Sequence, residues 1–440
     1  MRTKHWSSRT LAVGSIVAGL ATVAAAQSGN DLAPKLDRLK QAAQNDAALS
    51  PELKSAINDV ADELKKKESA PASAGDAFAK AFEKFRFNGD FRLRHESDFH
   101  LDDMESRNRE RIRLRLGAEY DVNEQIAAGA RLATGSPTDE NSPHQNLGAT
   151  FDKFAFNLDR AYVAWKPAFL SNTSISAGKF GHPFETNPVF AELVWDADVQ
   201  PNGVVAGWKH AGAPGLGDAS VVFGEYILLD NSTNGTLESA WAWVAQASAR
   251  QKLNETNKLS ESVGVYRYQR LNPDDVNAGR LFGENNGNLG VDTTGDGVAD
   301  DYASRFTIYN PILAVENSSL SQPVTFAGEL VFNPRARNDS DTGYALGVKV
   351  GRNKTKGDWQ LYYQWQVMEQ DAVLSNFTND DFLFGTNYRG HLFGARLQLL
   401  EKTELHLWGS AMRRDDLGSS ATTDNDKIQW RVRADLNFRF

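Results

Sequence analysis

Residues 107–120 read Arg-Asn-Arg-Glu-Arg-Ile-Arg-Leu-Arg-Leu-Gly-Ala-Glu-Tyr, and their period decides the fold. Ile112, Leu114, Leu116, Ala118 and Tyr120 alternate with Arg111, Arg113, Arg115 and Glu119. A step of two places the sets on opposite faces of a strand, one apolar and one charged. The preceding stretch does the same, with Phe85, Phe87, Gly89, Phe91 and Leu93 set against Arg86, Asn88, Asp90, Arg92 and Arg94. The pattern persists to the last residues, where Ile428, Trp430, Val432, Ala434, Leu436, Phe438 and Phe440 oppose Gln429, Arg431, Arg433, Asp435, Asn437 and Arg439.

Working outward, similar segments occur near 85–99, 107–120, 125–134, 154–166, 173–180, 203–209, 218–227 and 241–251. They continue near 260–270, 305–315, 324–332, 343–352, 357–367, 388–400, 403–414 and 427–440. The expectation is an all-β chain of about 16 strands, with 18 as the alternative. Short connections, such as 121–124, 210–217 and 401–402, alternate with long ones, including 135–153, 181–202, 271–304 and 368–388. Turns at one end, loops at the other and an even strand count predict an antiparallel transmembrane β-barrel over 85–440. Both chain ends then fall on the short-turn, periplasmic side. A soluble sandwich is the competing reading, but it gives no reason for so many arginines along one face.

The rest of the composition agrees. No stretch beyond the first residues is long and apolar enough for a transmembrane helix. Zero cysteines exclude disulfides, thiolate metal sites and thiol nucleophiles, and a net charge of −9 argues against a nucleic-acid partner. Residues 1–26 carry Arg2, Lys4 and Arg9, then an apolar run ending in Ala24-Ala25-Ala26, which reads as a cleaved signal peptide. Losing those three cations takes the net charge from −9 to −12. Residues 27–68 follow a helical period, with Leu32, Leu36, Leu39 and Ala43, then Leu53, Ile57, Val60 and Leu64, after a Ser50-Pro51 start. This periplasmic segment is a candidate coiled coil, because such short helices must pack against something. Residues 69–84 read as a linker, beginning Ser-Ala-Pro-Ala-Ser-Ala-Gly.

Several pieces together resemble the Gram-negative outer-membrane β-barrel proteins labelled putative porins, similar in style to alginate-export channels. They are Gly89-Asp-Phe-Arg-Leu-Arg94, the 107–117 ladder, Arg131-Leu-Ala-Thr-Gly135, Asp159-Arg-Ala-Tyr-Val-Ala-Trp165, Gly178-Lys-Phe-Gly-His-Pro-Phe184 and Val194-Trp-Asp-Ala-Asp198. The resemblance implies a diffusion channel in outer-membrane lipid and, by analogy, a homotrimer. The last strand, ending in Phe440, resembles the signal read by the outer-membrane assembly machinery.

Within a barrel, Arg107, Arg109, Arg111, Arg113 and Arg115, with Arg92 and Arg94 on the neighbouring strand, must face water rather than lipid. They are the expected pore lining, and guanidinium suits carboxylate or phosphate groups. The 181–202 connection carries Glu185, Glu192, Asp196 and Asp198 with Phe184, Phe190 and Trp195. Two readings are open. The loop enters the lumen as a constriction, with its acids across from the arginines; or it caps the mouth, and Asp90, Glu96 or Glu119 pair with the arginines. The expected solutes are small and polar, or ions, with anions slightly preferred. No cofactor is expected.

Trp165, Tyr120, Phe180, Trp208, Trp359 and Trp408 are candidates for interfacial aromatic girdles. Asp292, Thr294, Asp296 and Asp300 have the spacing of the first ligands of a calcium loop, but Ala303 stands where the last ligand belongs, so the metal reading is weak. No catalytic residue is assigned. Ser410 and His406 lie four apart on one strand, ~13 Å, too far for proton transfer. A hydrolase is therefore the weaker alternative to a channel, and a barrel anchored to cell wall or partner by its helices is another.

Overall fold

The computed structural model describes residues 32–45, 50–68, 82–99, 106–190, 193–230, 239–271, 281–283, 285–379, 381–415 and 427–440. Residues 1–26, expected to be a signal peptide, and most of the 69–84 stretch expected to be a linker lie outside them. The chain divides into two units, 1–83 and 84–440.

Among the described residues the first unit holds two helices, α1 (Leu32–Asn45) and α2 (Pro51–Glu68). They run antiparallel. Lys40 is ion-paired with Asp62, and Lys54 Nζ donates to the Gln44 carbonyl at 3.0 Å. Ala43, Ile57 and Ala61 are buried, so the helices cover part of each other's apolar stripe.

The second unit is a closed antiparallel barrel of sixteen strands. Strands β1 (Phe85–Phe99), β2 (Arg107–Asp121), β3 (Ile126–Thr134), β4 (Phe156–Trp165), β5 (Thr173–Lys179) and β6 (Asn202–Ala213) form the first part. Strands β7 (Gly217–Leu229), β8 (Ala240–Lys252), β9 (Asn257–Gln269), β10 (Thr307–Asn317) and β11 (Val324–Phe332) continue the wall. Strands β12 (Thr342–Gly351), β13 (Trp359–Met368), β14 (Tyr388–Leu400), β15 (Thr403–Arg414) and β16 (Gln429–Arg439) complete it. Each strand pairs with its sequence neighbours, and β16 returns to pair with β1 from Asp90↔Arg439 to Phe99↔Trp430. At this seam Gly89 and Phe440 exchange backbone hydrogen bonds of 3.1 Å each way. Gly89 must lack a side chain, because a Cβ there would lie 2.3 Å from the Phe440 ring.

The two faces of the wall differ as the alternation predicts. Outward positions such as Phe87, Phe223, Leu313, Phe326 and Leu346 are 52–60% exposed. Continuous apolar exposure on that scale is untenable in water and normal against hydrocarbon. Among the described residues no helix is long and apolar enough to cross a membrane.

Two girdle expectations are corrected. Trp408 is 5% exposed and alternates with outward-facing Leu407, so it points into the barrel; Phe180 is 3% exposed and packs edge-on against Tyr226. In both cases a tryptophan or phenylalanine near a strand end was needed inside. Trp165, Trp208 and Trp359 are exposed at 36–40% on the outer face.

Candidate functional site: the charged interior and its two loops

The interior site starts from a register problem. In the β1–β2 ladder Arg92 lies opposite Arg113, and Arg94 opposite Arg111. Like charges directly across a sheet repel, so these strands need carboxylates from elsewhere. The other side of β1 supplies one set, because Arg94 faces Asp435, Glu96 faces Arg433 and Asp98 faces Arg431 on β16. Arg94 makes a two-point contact with Asp435, at 2.7 and 2.9 Å. Glu96, fully buried, is shared by Arg433 (2.6 Å) and Arg109. Arg111 stands 3.7 Å from the same carboxylate. Asp98 is likewise shared by Arg431 (2.6 Å) and Arg107 (2.8 Å). Asp90 takes Arg113 at 2.8 Å and Arg115 at 2.7 Å. Such charge-assisted pairs are the strong class of hydrogen bond. Glu119 lies apart from this network, holding Arg86 at 3.0 Å and the Tyr162 hydroxyl at 2.6 Å.

The remaining counter-charge comes from loops. The 180–201 connection lies across the barrel with two unlike faces. Its apolar face rests on the wall opposite the seam: Phe184 packs edge-on to Tyr266 (5.3 Å between ring centres) and Trp195 edge-on to Tyr226 (5.8 Å). Glu185 and Gln246 bind reciprocally, the Glu185 amide donating at 2.7 Å and the Gln246 amide returning at 2.9 Å. Its acidic face meets β2, with Asp198 at 2.7 Å from Arg115 and 3.4 Å from Arg113. Asp196 is buried and accepts the Asp198 amide at 2.6 Å, which fixes the turn presenting Asp198. The loop re-enters the wall at Gly203, whose φ of +147° and closeness to the Glu225 carbonyl admit no side chain.

Of the acids singled out in the sequence, Asp198 therefore comes to the arginines, while Asp196 holds the turn behind it. Asp198 stands in direct contact with them rather than across a gap. Glu185 does not join them; its side chain pairs with Arg250. Glu192 lies outside the described residues.

A second loop, 369–387, also turns inward, and the sequence reading passed over it. Residues 371–379 are all buried, and Phe377 stacks on Trp195 at 4.8 Å, 6° from parallel. The Asp196 amide donates to the Phe377 carbonyl at 2.7 Å, joining the loops backbone to backbone. Asp381 pairs with Arg433 and lies 3.7 Å from Arg94. Burial alone would raise the Asp381 pKa, but Arg433 and Arg94 outweigh it and hold this carboxyl far below its ordinary range. The nearby His182 has no such partner, and burial pushes its pKa down to about 3, leaving a neutral ring against Phe184 and Trp195. The missed signal was the apolar content of 369–387, with Val373, Leu374, Phe377, Phe382 and Phe384, which is too high for a solvated loop.

Cavities lie on both sides of this partition. One of 580 Å³ opens toward Gly89, Arg439 and Phe440, the short-turn end; one of 340 Å³ is lined by residues of the 135–155 loop. Asp198 lines both.

The weaker candidates are placed as follows. Asp292 accepts the amides of Gly295 (2.6 Å) and Gly297 (2.7 Å), and Asp300 the amide of Thr293 (2.9 Å). Asp296 accepts Val298 N at 2.9 Å, and Thr294 donates to Asp292 at 3.3 Å. The loop's own donors occupy these oxygens, and among the described residues no cluster of three or more His, Asp or Glu is arranged for a metal. Ser410 Oγ has no hydrogen-bond partner, while His406 Nε2 meets the Tyr362 hydroxyl at 2.7 Å, so the two form no dyad.

Comparison with known proteins follows the same lines. A family model described as "Putative porin" matches residues 100–295 and 301–440. No curated protein matches the chain. Among solved structures, OprB of Pseudomonas putida aligns with a TM-score of 0.54 at 12% identity, covering 83% of this chain and 97% of that one. OmpF of Salmonella typhi, in complex with daunomycin, gives 0.47 at 11% identity (81% and 97% covered). A Rhodopseudomonas blastica porin triple mutant gives 0.45 at 10% (81% and 100%). At these identities the first of them speaks to the fold alone.

Proposed function

The chain belongs to the porin family whose model it matches, and from that premise we propose that it forms a water-filled outer-membrane channel for passive diffusion of small polar solutes or ions. Family and fold point to an outer-membrane location and to a channel rather than an enzyme. In this reading Arg92, Arg94, Arg107, Arg109, Arg111, Arg113 and Arg115 line the pore, and the 180–201 loop narrows it. The observation that carries it is Asp198, which touches Arg113 and Arg115 and borders the cavities on both sides of the partition. Solutes pass where a loop carboxylate meets the guanidinium stripe, and the fixed charges there select among ions. With most of the stripe paired to acids, the anion preference is slight.

The short-turn end faces the periplasm in this proposal, the N-terminal segment is periplasmic, residues 1–26 direct export, and the β16 strand through Phe440 is read by the assembly machinery. Three barrels associate, as the analogy with porins suggests. A truncation lacking residues 31–67 that kept the same oligomer would remove the helices from that role.

The test is single-channel conductance of the purified mature chain in a planar bilayer under a salt gradient. Discrete steps with a reversal potential favouring anions, diminished by Arg111→Gln and Arg113→Gln, are expected. Silence from a folded, heat-modifiable barrel would refute the channel and leave an anchoring barrel as the better reading.

A further inference from the structure

The short-turn-side cavity holds two donors that the charged network does not use. Arg396 on β14 forms no ion pair with any carboxylate among the described residues, and its Nε is buried without a hydrogen-bond partner. Trp408 on β15 is 5% exposed, and its Nε1 is also without a partner. The β14–β15 register puts Arg396 opposite His406, two residues from Trp408 on the same face. That diagonal is ~7–8 Å, within reach of long side chains. Both residues line the 580 Å³ cavity. Elsewhere in this interior nearly every arginine finds an acid; Arg396 hydrogen-bonds the Tyr362 side chain instead, and the acids that line the same cavity, Asp435 and Glu404 among them, pair with other residues.

The surroundings specify what could fill it. His406, the nearest neighbour of Arg396, is occupied by the Tyr362 hydroxyl. The Arg396 guanidinium lies 5.9 Å from the centre of the Tyr362 ring. Phe190, from the inward loop, stands 6.3 Å from Trp408 and 6.1 Å from Tyr362, ring centre to ring centre, and borders the same cavity. Across the cavity Arg92 adds positive charge; it bonds neutral Asn437 at 2.7 Å and only approaches Asp435, at 3.6 Å. A buried donor left without an acceptor is costly, and an anionic acceptor suits a guanidinium best. An aromatic wall favours a flat apolar body.

The geometry points to a binding site in this cavity for a small carboxylate bearing an aromatic ring, its carboxylate taken by Arg396 and the Trp408 N–H and its ring laid against Phe190. The inference rests on the channel reading for its role: the site would be a resting place for a permeating solute on the short-turn side of the partition. A free inorganic phosphate could use the arginine but gains nothing from Phe190.

The test is calorimetric titration of benzoate, acetate and inorganic phosphate into the folded full-length barrel in detergent, beside bilayer conductance of the same preparation. Saturable benzoate binding is expected, with acetate and phosphate weaker. Arg396→Gln should weaken benzoate about tenfold. Trp408→Phe keeps the ring and loses only the N–H, so it should weaken benzoate by a smaller factor. It also keeps the proposal falsifiable if the arginine variant fails to fold. Absence of benzoate binding, equal binding of phosphate, or unchanged affinity in both variants would overturn the site. A preparation that conducts but does not bind benzoate refutes the site alone; one that binds benzoate but never conducts refutes the channel alone.

Discussion

The seam wall of β16, β1 and β2 and the opposite wall of β7 to β10 have the same backbone and unlike interiors. Along the seam, inward positions are Arg94, Glu96, Asp98, Arg431, Arg433 and Asp435, all buried and cross-paired. Across the barrel they are Val222, Tyr226, Ala242, Val244, Tyr266 and Ile308. The difference follows from what each wall must hold. Small and aromatic inward residues form a dry bed for Phe184 and Trp195, which anchors the crossing loop. The charged wall receives that loop's carboxylate Asp198. A loop that is greasy on one side and acidic on the other can lie in only one orientation between them.

The contrast breaks most sharply at Glu96. Glu96→Ala leaves Arg433, Arg109 and Arg111 around an empty place, and removal of one partner of a buried ion cluster costs about 3–5 kcal/mol. The expected result is a lower urea midpoint in lipid vesicles and loss of the heat-modifiable band. Next in size is the double variant Arg113→Gln, Arg115→Gln. It frees Asp198 and removes two cations from the partition, so the reversal potential should move toward cations, with the permeability ratio changing on the order of a few-fold.

A smaller effect concerns pH. A carboxyl held below its ordinary value stabilises its contacts above the unfolded pKa, about 3.9 for Asp, and loses them only as pH falls through the lower folded value. The Asp381 bridge to Arg433 should therefore persist between pH 7 and about 4, with the fluorescence of Trp195, stacked on the same loop's Phe377, unchanged over that window. Quenching or release above pH 4 would show that this arm of the loop is not held by the charge pair. The smallest effect lies on the dry wall. The Tyr226 hydroxyl is buried without a partner, so Tyr226→Phe should be neutral or stabilise by up to about 1 kcal/mol, read from the urea midpoint. On one wall a lost polar group is ruinous, and on the other it is harmless.

The strands were legible because hydrocarbon outside and water inside give each residue a two-valued choice. That choice repeats over sixteen segments, and Phe85 to Leu93 alone shows the period. The arginines of β2 were legible as inward for the same reason. Their partners were not. Which acid meets Arg94 depends on the register of a strand 341 positions away, and no local pattern carries that number. The inward loop 369–387 escaped because loops have no period, and only its six large apolar side chains distinguished it. Trp408 was read as interfacial from its place near a strand end, whereas its parity with His406 and Ser410 already set it inside.

The seam has a consequence in time. Glu96 and Asp98 meet Arg433 and Arg431, 337 and 333 positions further along, only after the chain between has been laid down and folded. Until then β1 has a bare edge and several inward arginines without their counter-ions, a state that favours neither lipid insertion nor premature pairing with another strand. The arrival of β16 satisfies both deficits together. A slip of one residue would turn every arginine of that strand toward hydrocarbon, so the ladder also acts as a check on register. The last strand therefore works as a keyed latch: the ring seals when the final piece arrives in its proper alignment, and resists sealing otherwise.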